Sequence, residues 1–230
     1  MLKKYLLAIR AYSFPASIIP ILAGSALAHR LDTNIAWGFL PLILFVYLCL
    51  HAGTNLINDY YDYKTGVDLK ENILTQSKTH LHAIIFFILG ILIGGILVFY
   101  KGPFILIIGI LGFLGGYFYT ARPFAYKFLP IGEIMVFLLM GPLMLIGAYY
   151  VLTGVYLSKL WFYSLPIGFL VSAILLGNNI RDYKKDKQAG IKNLVGLLGV
   201  NTGKILYIIF IAMAYALVIL MVLNKYISVW

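Results

Sequence analysis

Five of the eight acidic residues in this 230-residue chain fall in two short stretches. The first, "NLINDYYDYKTGVD" (Asn55–Asp68), closes a long apolar run, and the second, "LLGNNIRDYKKDKQAG", closes another. If the first helix continues to about Tyr63, then Asn55, Asn58 or Asp59, and Asp62 recur every three or four residues and share one face. Asn178, Asp182 and Asp186 do the same at four-residue spacing. Carboxylates stacked on one helical face repel each other, so two such stacks make sense where cations neutralise them. Oxygen-only ligands suit hard cations, and Mg²⁺ is usually held by one or two carboxylates together with phosphate oxygens and water. The chemistry these residues point to is the binding of a phosphorylated substrate through Mg²⁺. Lys64, Lys127, Arg181 and Lys185 are the bases that could balance the remaining phosphate charge.

The elements that must position these groups are membrane helices. Hydrophobic residues make up 62% of the chain and charged residues 11%, and the mean hydropathy is +0.94. Soluble domains carry about a quarter charged residues, so the composition is that of a polytopic membrane protein. A spanning helix needs about 20 apolar residues, and seven runs qualify: 12–29, 35–57, 81–100, 103–119, 131–152, 161–180 and 203–223. The expected fold is an all-α bundle of about seven transmembrane helices around a central cavity, as one domain over residues 1–230. The second and sixth runs both end in an Asn-then-Asp motif, which suggests a 4+4 pseudo-repeat incomplete at the C-terminus.

Charge placement sets the expected orientation. The N-terminus and the segments after the second, fourth and sixth runs hold 14 of the 18 Lys and Arg, leaving Arg30, Lys101, Lys159 and Lys225 for the other face. That bias places the N-terminus and both acidic stretches in the cytoplasm, in an integral protein of the inner membrane. Asp59, Asp62, Asp68, Glu71, Glu133, Asp182 and Asp186 share that side with the bases, and only Asp32 lies opposite. Orientation responds mainly to Lys and Arg, so the clustered acids need a functional cause. The net charge of +10 is explained by the same rule and argues against a nucleic-acid partner. Cys49 stands alone, which excludes an intramolecular disulfide. "MLKKYLLAIRAYSFP" has no small-residue cleavage site and reads as mature protein. In "GILGFLGGYFY", Gly112 and Gly116 form a small-xxx-small pair, read as helix packing.

The two acidic stretches resemble those of the UbiA-type intramembrane aromatic prenyltransferases, whose pattern is NDxxDxxxD in one half and DxxxD in the other. "NDYYDYKTGVD" and "NNIRDYKKDKQAG" match it, and "YTARPFAYKFLPIGEIMVFLLMGPLMLIGAYYV" is most similar to the menaquinone-pathway 1,4-dihydroxy-2-naphthoate polyprenyltransferase branch. The resemblance runs from about Tyr12 to Gly199. It implies Mg²⁺-dependent transfer of a polyprenyl chain from its diphosphate to an aromatic acceptor, inside the lipid bilayer. Carried over by position, Asn58, Asp59 and Asp62 would hold one Mg²⁺–diphosphate face and Asp182 and Asp186 the other. Asn55, Lys64, Asp68, Asn178 and Arg181 would line the substrate site, and the Tyr119-then-Lys127 element would contact diphosphate or shape the acceptor site. The carbocation left by the departing diphosphate would need a dry aromatic wall, for which Tyr60, Tyr117 and Tyr119 lie nearest the motifs.

Three departures stand out. The third Asp of the first motif would fall at Gly66, whereas the carboxylate here is Asp68. The following loop, "DLKENILTQSKTH", has no Arg, so Lys70 or Lys78 would replace it. Members commonly have nine helices, against seven apolar runs here. The last two departures also fit a prenyl-diphosphate-binding member without turnover. A cation transporter is the reading from another class. Such proteins place ionisable groups near mid-membrane on broken helices, whereas these acids sit at helix ends.

Overall fold

The computed structural model describes residues 2–31, 34–64, 66 and 74–227. Asp68, Lys70 and Glu71 lie outside the described residues, as do Asp32 and Trp230. The helices in chain order are α1 (Leu2–Ala8), α2 (Pro15–Leu31), α3 (Leu40–Lys64), α4 (Gln76–Lys101), α5 (Pro103–Phe118), α6 (Gly132–Leu138), α7 (Met144–Thr153), α8 (Leu160–Gln188), α9 (Leu194–Leu198) and α10 (Val200–Leu223). Six helical stretches are long and apolar enough to cross a membrane, and Pro103–Phe118 is a shorter apolar one. Together they match the seven expected runs. The protein is an all-helical integral membrane protein.

α3 and α8, the helices that carry the two motifs, are each longer than the bilayer's apolar layer is thick. At ~1.5 Å per residue, the 25 residues of α3 span ~38 Å and the 29 of α8 span ~44 Å, against a hydrocarbon core of ~30 Å. Each helix therefore carries its acidic motif out of the apolar layer. Tight turns return the chain between crossings. In "KGP", Gly102 at φ 81 ends α4 and Pro103 opens α5, which uses glycine's access to the left-handed region and proline's tolerance of a first helical turn. The run expected as one helix over 131–152 contains a π-turn, Leu139–Leu143, between α6 and α7. Pro142 lies inside it; proline has no N–H to give and its ring crowds the preceding turn, so the ladder widens there.

α3 packs along α4, α2 along α7, and α8 along α10. Ile21, Ile43, Leu145, Tyr149, Leu152 and Leu160 form the main buried cluster. Ala52, Leu56, Ile57, Ala83 and Phe87 form a second one nearer the acidic end, joined by Ala8 and Ile9 from the N-terminal segment. Lipid tails are as apolar as leucine, so close packing and polar ties hold such a bundle more than the hydrophobic effect does. For the same reason α10 can leave Ile208 and Leu223 largely exposed on its outer face.

α2 approaches the α7 backbone closely at Gly24. A Cβ there would lie 2.6 Å from the Leu145 carbonyl oxygen and 3.1 Å from Ala148 Cβ. Gly24→Val is expected to cost about 1–3 kcal/mol through overpacking. It should appear as a clear drop in the thermal midpoint of the detergent-solubilised protein; an unchanged midpoint would mean the helices are not so close. Of the glycine pair noted in α5, Gly116 makes a close approach, with Thr54 Oγ1 2.5 Å from where its Cβ would be. Gly112 makes only ordinary contact with Leu143, and the second tight position is Gly115, against Leu139.

Candidate active site

α3 carries the first motif, and the connections before α2 and after α5 supply its counter-charges. Asn58 and Asp62 are buried. Asn58 Oδ1 accepts from Thr120 Oγ1 at 2.8 Å and from Lys127 Nζ at 2.7 Å. The same ammonium donates to Asp62 Oδ2 at 2.6 Å, so a single cation bridges two side chains one helical turn apart. Lys127 reaches them because the chain folds back after α5. Its backbone N–H donates to the Tyr119 carbonyl at 2.8 Å, Ala125 sits at φ 41, and the Tyr126 hydroxyl donates to the Gly115 carbonyl at 2.6 Å.

Asp59 pairs with Arg10 from the segment between α1 and α2. Burial disfavours the guanidinium charge, but Asp59, Tyr12 and Asp62 outweigh it and raise Arg10 above its ordinary value. Both α3 carboxylates thus already carry a positive group.

The second motif is more open. Arg181 donates to Asp182 through Nε at 3.0 Å and through a terminal nitrogen at 2.8 Å. Their side chains are 68% and 42% exposed, so this pair contributes little stability. Asp186 Oδ2 accepts from Asn193 Nδ2 at 2.9 Å. Asn193 is itself buried, and its oxygen caps α9 by accepting from Gly196 N at 2.8 Å. The buried amide of α8 is Asn179, one residue after the Asn178 expected at the site. Asn179 donates to Glu133 Oε1 at 2.9 Å and ties α8 to α6, while Asn178 is half-buried.

One charged group from each motif acts electrostatically on Tyr119. Burial pushes the Tyr119 phenol well above the usual tyrosine range; Arg10 opposes this, and Asp62, Glu133 and Asp186 add to it. One hydroxyl from the α5–α6 connection therefore lies in the field of α3, α6 and α8 together, and stays a neutral hydrogen-bond donor at physiological pH. Lys127 likewise acts electrostatically on Asp186 as well as on Asp62.

Not every expected residue is part of this cluster. Lys64 is exposed, with its ammonium 5.8 Å from the Tyr60 ring centroid. Asn55 Nδ2 donates to the Ile9 carbonyl at 3.0 Å and more weakly to Ser13, tying α3 to the N-terminal segment. Tyr60 stacks on His80 and Tyr117 packs among Phe113, Phe87 and Phe118; of the three expected aromatics, Tyr119 is the one on which Asp62, Glu133 and Asp186 all act. Arg10 and Thr120 belong to the cluster and were not singled out from sequence.

Among the described residues, no three His, Cys, Asp or Glu side chains lie close enough together to hold a metal by themselves. The donors nevertheless fit Mg²⁺. They are hard oxygens, they sit where an ammonium and a guanidinium are already held, and Mg²⁺ completes its shell with substrate phosphate and water, not a protein cage.

A transmembrane helical bundle with a cation-bridged acidic cluster at one end is what this fold and site define. The UbiA prenyltransferase family model matches residues 17–230, and the chain belongs to that family. It is 32% identical over 225 residues to UbiA prenyltransferase domain-containing protein 1 of Danio rerio, covering 93% of this chain and 66% of that protein. It is also 32% identical over 234 residues to the 1,4-dihydroxy-2-naphthoate octaprenyltransferase of Bacillus subtilis (strain 168), covering 96% of this chain and 74% of that protein. The chain thus spans 66% and 64% of the length of its zebrafish and Xenopus tropicalis relatives, just under two thirds. In fold it is similar to a UbiA homologue from Archaeoglobus fulgidus bound to GPP and Mg²⁺, with a TM-score of 0.70 at 19% identity, covering 93% of this chain and 76% of that one.

Proposed function

We propose that this protein transfers a polyprenyl chain from its diphosphate to an aromatic acceptor of the dihydroxynaphthoate type, with Mg²⁺, as a step of quinone biosynthesis. The observation that carries the reading is the half-buried Lys127 ammonium bridging Asn58 and Asp62. Such a place recognises a compact polyanion together with cations, and it stands at the end of a membrane bundle, where a water-seeking headgroup and an apolar tail can both be accommodated. The archaeal homologue bound to GPP and Mg²⁺ supports the donor, and the Bacillus relative's acceptor supports the naphthoate. The positive-inside bias supports a cytoplasmic N-terminus and active-site face in the inner membrane.

In the reaction, the C1–O bond of the allylic diphosphate breaks and its electron pair leaves with the diphosphate. The barrier is the separation of that anion from an allylic cation. Asp59 and Asp62 on α3, with Asn58, and Asp182 and Asp186 on α8 would hold Mg²⁺, which supplies positive charge to the leaving oxygens. Lys127 and Arg10 keep the carboxylates apart from one another and pre-aligned before substrate arrives. Lys127 also adds a fixed ammonium facing the developing anion. Tyr119 would contribute a neutral phenol and an aromatic face toward the allylic cation, worth roughly 0.5–2 kcal/mol. The acceptor ring then forms a bond to C1 with its π electrons and loses a proton, or for a dihydroxynaphthoate its carboxyl group as CO₂.

The test is incubation of purified membranes with prenyl diphosphates and 1,4-dihydroxy-2-naphthoate, with products read by mass. Prenylated product that forms with Mg²⁺ and disappears with EDTA is the expected result. Mg²⁺-dependent binding of the diphosphate with no product would replace the enzyme by a binding member of the family. Cation flux through liposomes in the absence of prenyl diphosphate would favour transport.

A further inference from the structure

The acidic cluster is held from below by a polar network that the reaction itself does not use. His51 lies on the motif face of α3, one turn before Asn55 and two before Asp59. Both of its ring nitrogens are engaged: Nε2 with Ser13 Oγ at 3.1 Å and Nδ1 with Ser17 Oγ at 2.7 Å. Ser17 is fully buried, and the Phe14 ring packs on the imidazole at 5.4 Å between centroids.

The direction of each bond follows from the protons available. The Ser13 hydroxyl donates to the Arg10 carbonyl at 2.7 Å. A hydroxyl has one proton to donate, so the contact between Ser13 Oγ and His51 must be donated by Nε2–H. A neutral ring then accepts at Nδ1 from the Ser17 hydroxyl. Ser13 therefore fixes the Nε2–H tautomer, Ser17 matches it by donating to Nδ1, and the tautomer in turn secures Ser13.

What Ser13 secures is a turn in an uncommon conformation. Arg10 adopts φ 53 and ψ 47, in the left-handed region that non-glycine residues occupy only when their surroundings require it. Its carbonyl accepts from both the hydroxyl and the backbone N–H of Ser13, the latter at 2.8 Å. Asn55, reaching the Ile9 carbonyl, holds the residue before it. From this turn the Arg10 side chain reaches Asp59.

We infer that His51 is a positioning residue of the acidic site, acting through Ser13 to set the Arg10 turn and so keep the guanidinium on Asp59. The effect on turnover rests on the reaction proposed above; the effect on Arg10 does not. A displacement of about 1 Å in such a group is enough to lower a rate substantially.

The experiment compares His51→Gln, His51→Asn and Ser13→Ala in the full chain, with two readouts. One is the ¹⁵N guanidinium resonance of Arg10, assigned by its loss in Arg10→Lys. The other is kcat for prenyl transfer. The glutamine amide nitrogen falls near the place of Nε2 and keeps a donor toward Ser13, whereas the asparagine side chain is too short for that and serves only Ser17. His51→Asn and Ser13→Ala are each expected to shift the Arg10 resonance and lower kcat about tenfold. The double variant should be no worse than either alone, because both act along one path. His51→Gln should rescue both readouts to within about threefold of the parent.

An Arg10 resonance unmoved by His51→Asn and Ser13→Ala would overturn the inference, as would a His51→Gln variant as impaired as His51→Asn. If the parent transfers no prenyl chain but the Arg10 resonance responds as stated, the proposed reaction fails and the positioning role stands.

Discussion

Asp62→Ala is expected to lower prenyl transfer by at least about 100-fold, the scale of losing a main electrostatic stabiliser of the developing charge. Asp62 is the most enclosed carboxylate of the α3 motif, 7% exposed, with one oxygen fixed by Lys127 at 2.6 Å. Removing it takes away a hard oxygen donor and leaves the ammonium bound to Asn58 alone. Asp62→Asn keeps the shape and loses the charge, so it should be nearly as slow; raising Mg²⁺ should restore neither. Saturating both substrates separates the effect from weaker binding, because a group acting on the transition state lowers kcat as well as kcat/KM. If either variant transferred prenyl groups at close to the parental rate in Mg²⁺, the role assigned to the α3 motif would be wrong.

That prediction rests on a residue the sequence makes conspicuous, and the contrast with its partners shows what a sequence can display. The acids are visible because repulsion between like charges at helical spacing is a local oddity, and their helices are visible because hydropathy is local too. α3 reaches Lys64 and α8 reaches Gln188, as the motif periodicity requires. Arg10 is different. In sequence it is one of several bases that satisfy the positive-inside rule, and nothing within a helical turn marks it as the partner of Asp59, 49 positions away. The His51 network has the same character, since Ser13 and Ser17 come from α2 and the segment before it.

Asn178 and Asn179 show a second limit. Successive residues on a helix point about 100° apart, and only one of this pair can face α6. Apolar residues surround α8 on all sides, so its periodicity does not mark which face turns inward; packing against Glu133 does. The glycines of α5 behave alike: the small-residue motif correctly marks a close helix approach, but the tight positions are Gly115 and Gly116, with Gly112 outside them. The π-turn at Leu139–Leu143 follows from Pro142 only once the flanking helices are known to continue through it.

The second large effect is expected at Lys127, and it separates stability from catalysis. Lys127→Met keeps most of the side-chain volume and removes the ammonium that joins Asn58, Asp62 and the field at Asp186. Two losses follow. Prenyl transfer should fall by about 100-fold or more, since a fixed positive group facing the leaving diphosphate is gone. The folded state should also weaken. Breaking a fully buried pair costs about 3–5 kcal/mol, but these side chains are 21% and 10% exposed, so about 1–3 kcal/mol is the scale expected once solvent screening is allowed for. Adding Asp62→Asn removes the stranded carboxylate. The double variant should therefore recover much of the lost thermal midpoint while its prenyl transfer stays as low as that of the worse single variant. Recovery of activity along with stability would mean that the pair only holds the helices together, whereas a stable and inactive double variant would place both charges in the chemistry.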